Sequence, residues 1–182
     1  MYRDEIISHY EQNWNNKASI IKWDKGPVDQ LKPDFSVLEF PPNQNRNMWT
    51  YATVCMSPLE DDPMIELHLF SDKQNSNLVE LLTVVANYHQ NTARFGLNHT
   101  MNFGRPWQVN SPCSFGFVSL PYIDGPDIEI FRKDGFASNC YWLIPISESE
   151  VDYKERNGVE ALEQLFESKG LDYLNPNRKE LV

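Results

Sequence analysis

Disulfide frameworks and zinc ribbons need cysteine, and this chain has little: Cys55, Cys113 and Cys140, an odd number, widely spaced, with no CxxC. Such a set predicts buried, unreactive thiols. The four histidines, His9, His68, His89 and His99, show no HxH or HExxH spacing, so no metal site is legible. No GxSxG elbow, phosphate-binding loop or dinucleotide fingerprint occurs, and no cofactor is expected. No apolar run approaches the roughly 20 residues that span a bilayer. The start, "MYRDEIISHYEQNW", lacks the basic beginning and apolar centre of a signal peptide. A cytoplasmic protein is predicted, and the sequon Asn98-His99-Thr100 is read as chance. Positive charge is scarce too: Lys and Arg number 16 against 26 Asp and Glu, a formal net charge of −10. That argues against a nucleic-acid binder, whose affinity comes from cations neutralising phosphates, and against binding to an anionic membrane. It permits a basic protein partner, and solubility alone explains it equally well.

What is present describes a folded domain. Hydrophobic residues make up 41% of the 182, aromatics 13%, without repeats or low-complexity tracts. One domain over 1–182 is expected. Tyr2, Ile6, Tyr10 and Trp14 form one helical face. "FSVLEF" and "WTYATVCMS" read as strands joined by the hairpin chemistry of "PPNQNRN". "MIELHLF" is a third strand, with Ile65, Leu67 and Leu69 on one face and Glu66 and His68 on the other. The last two are expected as a hydrogen-bonded pair at the sheet surface. A buried helix follows, with Asn77 and Glu80 as its capping box, running to about Arg94 and stopped by Gly96. "TMNF" and "SFGFVSL" are two more strands. "CYWLIPI" is another, placed by Pro145 at an edge or a bulge. Ser147 with Glu150, and Asn157 with Glu160, predict capping boxes for two final helices; Val159, Leu162, Leu165 and Phe166 give the second its apolar face, and Gly170 ends it. The order predicts an α+β domain with a mixed, largely antiparallel sheet.

Candidates for chemistry are few. A pairing of His99 with Cys55 or Cys113 has nothing in the spacing to support it. The carboxylates of Glu60-Asp61-Asp62, Asp124, Asp127, Glu129 and the series from Glu148 to Glu155 could serve glycoside hydrolysis, but a solvated face is the simpler use. Trp49, Tyr51, Phe103, Trp107, Tyr122, Tyr141 and Trp142 lie near strand ends or turns, where aromatics build the core or anchor interfaces. In "NHTMNFGRPW", Gly104 permits a positive φ and Pro106 holds Arg105 extended. Trp107 can cover the turn, and His99 and Asn102 can fasten backbone groups. Fastening, protein recognition and chemistry all stay open there.

Taken in order, "VLEFPP", "WTYATVCMS", "ELHLFS", "ELLTVVANYHQ", "HTMNFGRPW", "SLPYIDGPDIE", "CYWLIPISESEV" and "GVEALEQLF…GLDYLNPNR" resemble the bacterial suppressor-of-fused-like domain proteins. The resemblance runs from about residue 30 to 178. It implies one α+β domain similar to the N-terminal domain of eukaryotic suppressor of fused. There the fold binds a Gli-type peptide by strand addition between two domains. Only the first is resembled, so Gli-like binding is not carried over. Bacterial members are often described as immunity proteins of polymorphic toxin systems, in some cases against nucleases. The resemblance therefore implies a non-enzymatic antitoxin whose acidic surface meets a basic toxin domain. The candidate protein-binding residues are Asn98, His99, Asn102, Phe103, Arg105, Trp107, Tyr122, Asp124 and Asp127, with no catalytic or metal residues expected. The alternatives are an adaptor holding client peptides on an exposed strand and a hydrolase using His99. The chain departs from the family pattern twice. Asn98 replaces the Gly of "GHT", which puts in doubt any contact needing bare backbone there. Cys55 replaces the Gly of "ATVGMS", expected to alter only packing. The oligomeric state is not legible.

Overall fold

Tyr2, Ile6, Tyr10 and Trp14 recur every fourth residue, the repeat that stacks side chains on one helical stripe. The computed structural model describes residues 1–182, the side chain of Pro27 excepted. It places these four as the buried face of helix α1, Tyr2–Trp14, which stops at Asn15 in the left-handed conformation. After a short edge strand β1, Ser19–Ile21, and one 3-10 turn, β2 (Ser36–Phe40), β3 (Trp49–Val54) and β4 (Met64–Ser71) form antiparallel pairs. Helix α2 (Ser76–Asn91) is followed by β5 (Thr100–Asn102), β6 (Cys113–Ser119), the short helix α3 (Pro126–Glu129), β7 (Ile130–Lys133) and β8 (Phe136–Ser147). Helices α4 (Glu148–Asn157) and α5 (Val159–Lys169) close the chain. The strands form one mixed sheet ordered β1-β2-β3-β4-β8-β6-β5, with β7 also paired to β8 and β4–β8 the parallel neighbours.

Both faces of this sheet are covered. Alternate residues Val37, Tyr51, Ile65, Leu67, Leu69 and Leu143 pack under Leu78, Leu82 and Val85 of α2. On the other face, α1 packs on Leu38, Ala52, Val54 and Met64, while Leu162 and Phe166 of α5 pack on Phe70, Phe117, Trp142 and Ile144. This corrects the expectation for β4. Glu66 and His68 are fully buried beneath α1, and each has its own partners: Tyr2 and Thr53 for Glu66, Asp124 for His68.

Several ends differ from the sequence reading. The cap of α2 is Asn75, whose side chain accepts the Asn77 N–H, and the helix stops at Asn91. Glu80 instead pairs with Arg105 at 2.9 Å. The Ser147–Glu150 capping box forms, but Asn157 ends α4 and Gly158 precedes α5 without a side-chain cap. Strand β8 is central, not an edge. Pro145 is tolerated because the last β4 pair is His68 with Trp142, leaving the proline flanked only by Gly116 of β6. As expected, Gly170 ends α5, with φ 65, and the Leu171 N–H returns to the Phe166 carbonyl.

Candidate functional site

The stretch "NHTMNFGRPW" fastens its own turn. Asn98 donates its N–H to the Val118 carbonyl, and the His99 Nδ1 accepts the Gly96 N–H at 3.2 Å. Asn102 accepts the Gly104 N–H through its side chain at 2.7 Å. Phe103 lies on Gly116 so closely that a Cβ there would meet its ring at 2.6 Å. Arg105 pairs with Glu80, and Trp107 is only 4% exposed, within the core under α2. Trp107 is therefore not a surface anchor, because the turn folds its ring inward.

Asp124 is a second correction. Its carboxylate is 2% exposed, paired with Arg46 and 3.4 Å from His68 Nε2. Arg46 lies over the rings of Trp14 and Phe70. Burial pushes the Asp124 carboxyl up, and the His68 ring and Arg46 guanidinium more than reverse that, leaving it below the usual carboxylate range. Asp124 thus faces inward and pins the turn 121–125. Glu150, expected on a solvated face, is also buried, in a two-point pair with Arg178 at 2.7 and 2.6 Å. Asp127 stays exposed at the start of α3.

One constellation looks catalytic on paper. Ser57 Oγ is 3.1 Å from His89 Nε2, and Asp61 Oδ2 is 3.6 Å from the same nitrogen. His89 Nδ1 accepts the Phe95 N–H, so the proton sits on Nε2 and the ring donates toward Ser57 and Asp61. A general base would need that nitrogen free to receive the serine proton. Burial, helped by Arg94, lowers His89 to about 4. The group works as a latch between α2 and the loop before β4. Among the described residues, no three or more His, Cys, Asp or Glu side chains are grouped to hold a metal ion. No helix among them is long and apolar enough to cross a membrane.

The pinned turn has an outward side. Tyr122 is 58% exposed and Ile123 39%, and together they wall a cleft of about 670 Å³ whose opposite side is α5. Trp142, Ile144, Phe166 and Tyr173 supply its apolar floor. Glu160, Glu163 and Glu167 rim it from α5. Tyr122 donates its hydroxyl to Glu163 at 3.3 Å. Among the described residues, none of the three carboxylates has a Lys or Arg partner. Of the nine candidate protein-binding residues named from the sequence, only Tyr122 lines this cleft. Asn98 borders a neighbouring hollow that Tyr122, Glu160 and Glu163 share, while His99, Asn102 and Phe103 line a groove against α2. The three glutamates were missed, although their spacing on one face of a predicted helix was visible; that Tyr122 lies opposite them was not.

A suppressor of fused family model matches residues 32–179. The chain belongs to the suppressor of fused family. A suppressor of fused homolog from Neisseria gonorrhoeae FA 1090 is similar at 28% identity and TM-score 0.86, over 100% of this chain and 97% of that one. A chain of the Sufu–Fu complex is similar in fold at 15% identity and TM-score 0.73, over 99% and 92%. Drosophila Suppressor of Fused is similar at 14% identity and TM-score 0.67; the chain spans 50% of its length. No curated protein matches. In this suppressor of fused domain, the two positions where the sequence resemblance predicts Gly both hold left-handed backbone, φ 69 at Asn98 and φ 59 at Cys55. Asn tolerates that conformation, whereas Cys at φ 59 is strained. The side chain at position 55 thus bears on backbone energy, not packing alone.

Proposed function

We propose that the protein is a non-enzymatic binding module, an immunity protein that neutralises a basic toxin domain, such as a nuclease, by covering it directly. The observation that carries this reading is the row of three unpaired carboxylates beside an apolar cleft. Desolvated aromatic surface supplies anchoring, and unneutralised charge supplies steering toward a basic partner. The Sufu–Fu complex, a relative of this fold bound to another protein, supports the general role of protein binding. The test is capture with tagged protein from the source cells, washed at low and high salt, together with co-expression beside a neighbouring toxin. One dominant toxin-bearing partner, released by salt and with growth rescued, is the expected result. Failure to rescue growth would overturn the immunity reading.

A second reading, an adaptor that extends its sheet with client peptides, is favoured by edge strand β1, where Ile20 is 48% exposed. It predicts several weak partners and little salt dependence. The hydrolase reading has no observation behind it, because the His99 Nδ1 is engaged by the turn it fastens.

A further inference from the structure

We infer that the cleft between α5 and the Tyr122–Ile123 turn reads a short basic segment with an apolar anchor, contributed by a partner chain. The inference rests on the protein-binding reading above but not on the partner being a toxin. Glu160, Glu163 and Glu167 stand at i, i+3 and i+7 of α5, on one face. At a rise of 1.5 Å per residue they extend over about 10 Å. Glu163 receives only hydroxyls, from Tyr122 at 3.3 Å and Ser119 at 3.4 Å. Three like charges on one helix face with no cation among them destabilise that helix, and an incoming pair of cations relieves the repulsion. In an extended segment, side chains on one side recur about every 7 Å, so two Lys or Arg flanking one residue reach carboxylates at both ends of the row.

The apolar half of the site selects among cationic ligands. A bare metal ion or polyamine would use the carboxylates and leave Ile123 and the Trp142–Ile144 floor wet. An apolar molecule would fill the floor and leave the carboxylates unpaired. A volume of about 670 Å³ falls in the range of sites that enclose several side-chain or drug-sized groups. A second copy of this chain is disfavoured, since it brings a net charge of −10 of the same sign.

The probes are three hexapeptides with blocked ends: Lys-Lys-Leu-Phe-Lys-Lys, Lys-Lys-Gly-Ser-Lys-Lys and Glu-Glu-Leu-Phe-Glu-Glu. Each is titrated into the isotope-labelled full chain and followed by amide and indole chemical shifts. Saturable shifts confined to α5, the Tyr122–Ile123 turn and the Trp142 indole are expected with the first peptide. Binding should be at least fivefold weaker for the Gly-Ser peptide and undetectable for the acidic one. The protein carrying Glu160→Gln, Glu163→Gln and Glu167→Gln should lose at least fivefold in affinity, and so should Ile123→Ser. All four positions are wholly or partly solvent-facing, and unchanged shifts elsewhere report an intact fold. Equal binding of the Gly-Ser peptide, an unaffected triple variant, or no saturable binding would overturn the inference. If that happens while the captured natural partner still binds, protein binding stands and lies elsewhere on the surface; loss of both removes both.

Discussion

At the scale of single residues, Glu66 carries the most consequence. It is fully buried under α1 and accepts hydrogen bonds from Tyr2, Thr53 and the Met56 N–H. Burial pushes its carboxyl up to about 7, against the pull of those donors. The folded state therefore holds a proton that the unfolded chain, titrating near 4.5, has released. This contribution to stability is present at low pH and is lost as pH rises through about 7. His89 has the opposite sign: lowered from 6.5 to about 4, it favours the fold above 6.5 and loses that advantage as pH falls. Comparison with Glu66→Gln isolates the first, because His89 is common to both proteins. Between pH 5 and pH 8, urea unfolding of the native chain should lose about 2–3 kcal/mol relative to the variant. A pH-independent difference would refute the assignment. The alternation of "MIELHLF" disclosed Ile65, Leu67 and Leu69 as one buried face. It could not disclose that the polar face is buried too, since a strand's own pattern says nothing of what packs above it. The apolar stripe of α1 was legible; its landing place over Glu66 and His68 was not.

At the scale of elements, helix ends and turns separate the readable from the hidden. Asn75 caps α2 and also donates to Gln108 at 3.2 Å, tying the helix start to the loop before β6. Asn77, the cap suggested by its spacing from Glu80, lies one residue inside the helix and is exposed. Thermal or urea unfolding should therefore find Asn75→Ala destabilised by about 1 kcal/mol or more and Asn77→Ala nearly unchanged. Capping chemistry marks a neighbourhood, and tertiary bonds choose among adjacent candidates. The hairpin β7–β8 was overlooked, although Asp134-Gly135, with φ 51 and 83, is a strong short-range turn signal. The C-terminal stretch hangs on Arg178, which bonds Glu150 twice and the Pro145 carbonyl at 3.2 Å. Arg178→Ala strands a buried carboxylate and should cost about 3–5 kcal/mol in unfolding experiments. No local pattern links these residues, because the pair joins elements far apart in the chain.

At the scale of the whole molecule, the net charge of −10 and the acidic rim of the cleft make separable predictions. Neutralising exposed Asp24, Asp72 and Glu155 changes the net charge as much as neutralising the three glutamates of α5 does. With the captured partner, the first set should slow association and flatten its salt dependence while leaving dissociation unchanged. The second should also speed dissociation. Surface-plasmon kinetics at two ionic strengths would tell them apart. The sheet itself carries a last consequence. Its central parallel pair joins β4 to β8, a strand that starts at Phe136. On the ribosome, β1 to β4 emerge before β8, so the far side of β4 has no neighbour and presents its unpaired backbone N–H and C=O groups. The chain must keep it unpaired until most of its length has been made, so nascent chains should depend on chaperones and aggregate when synthesis outpaces them.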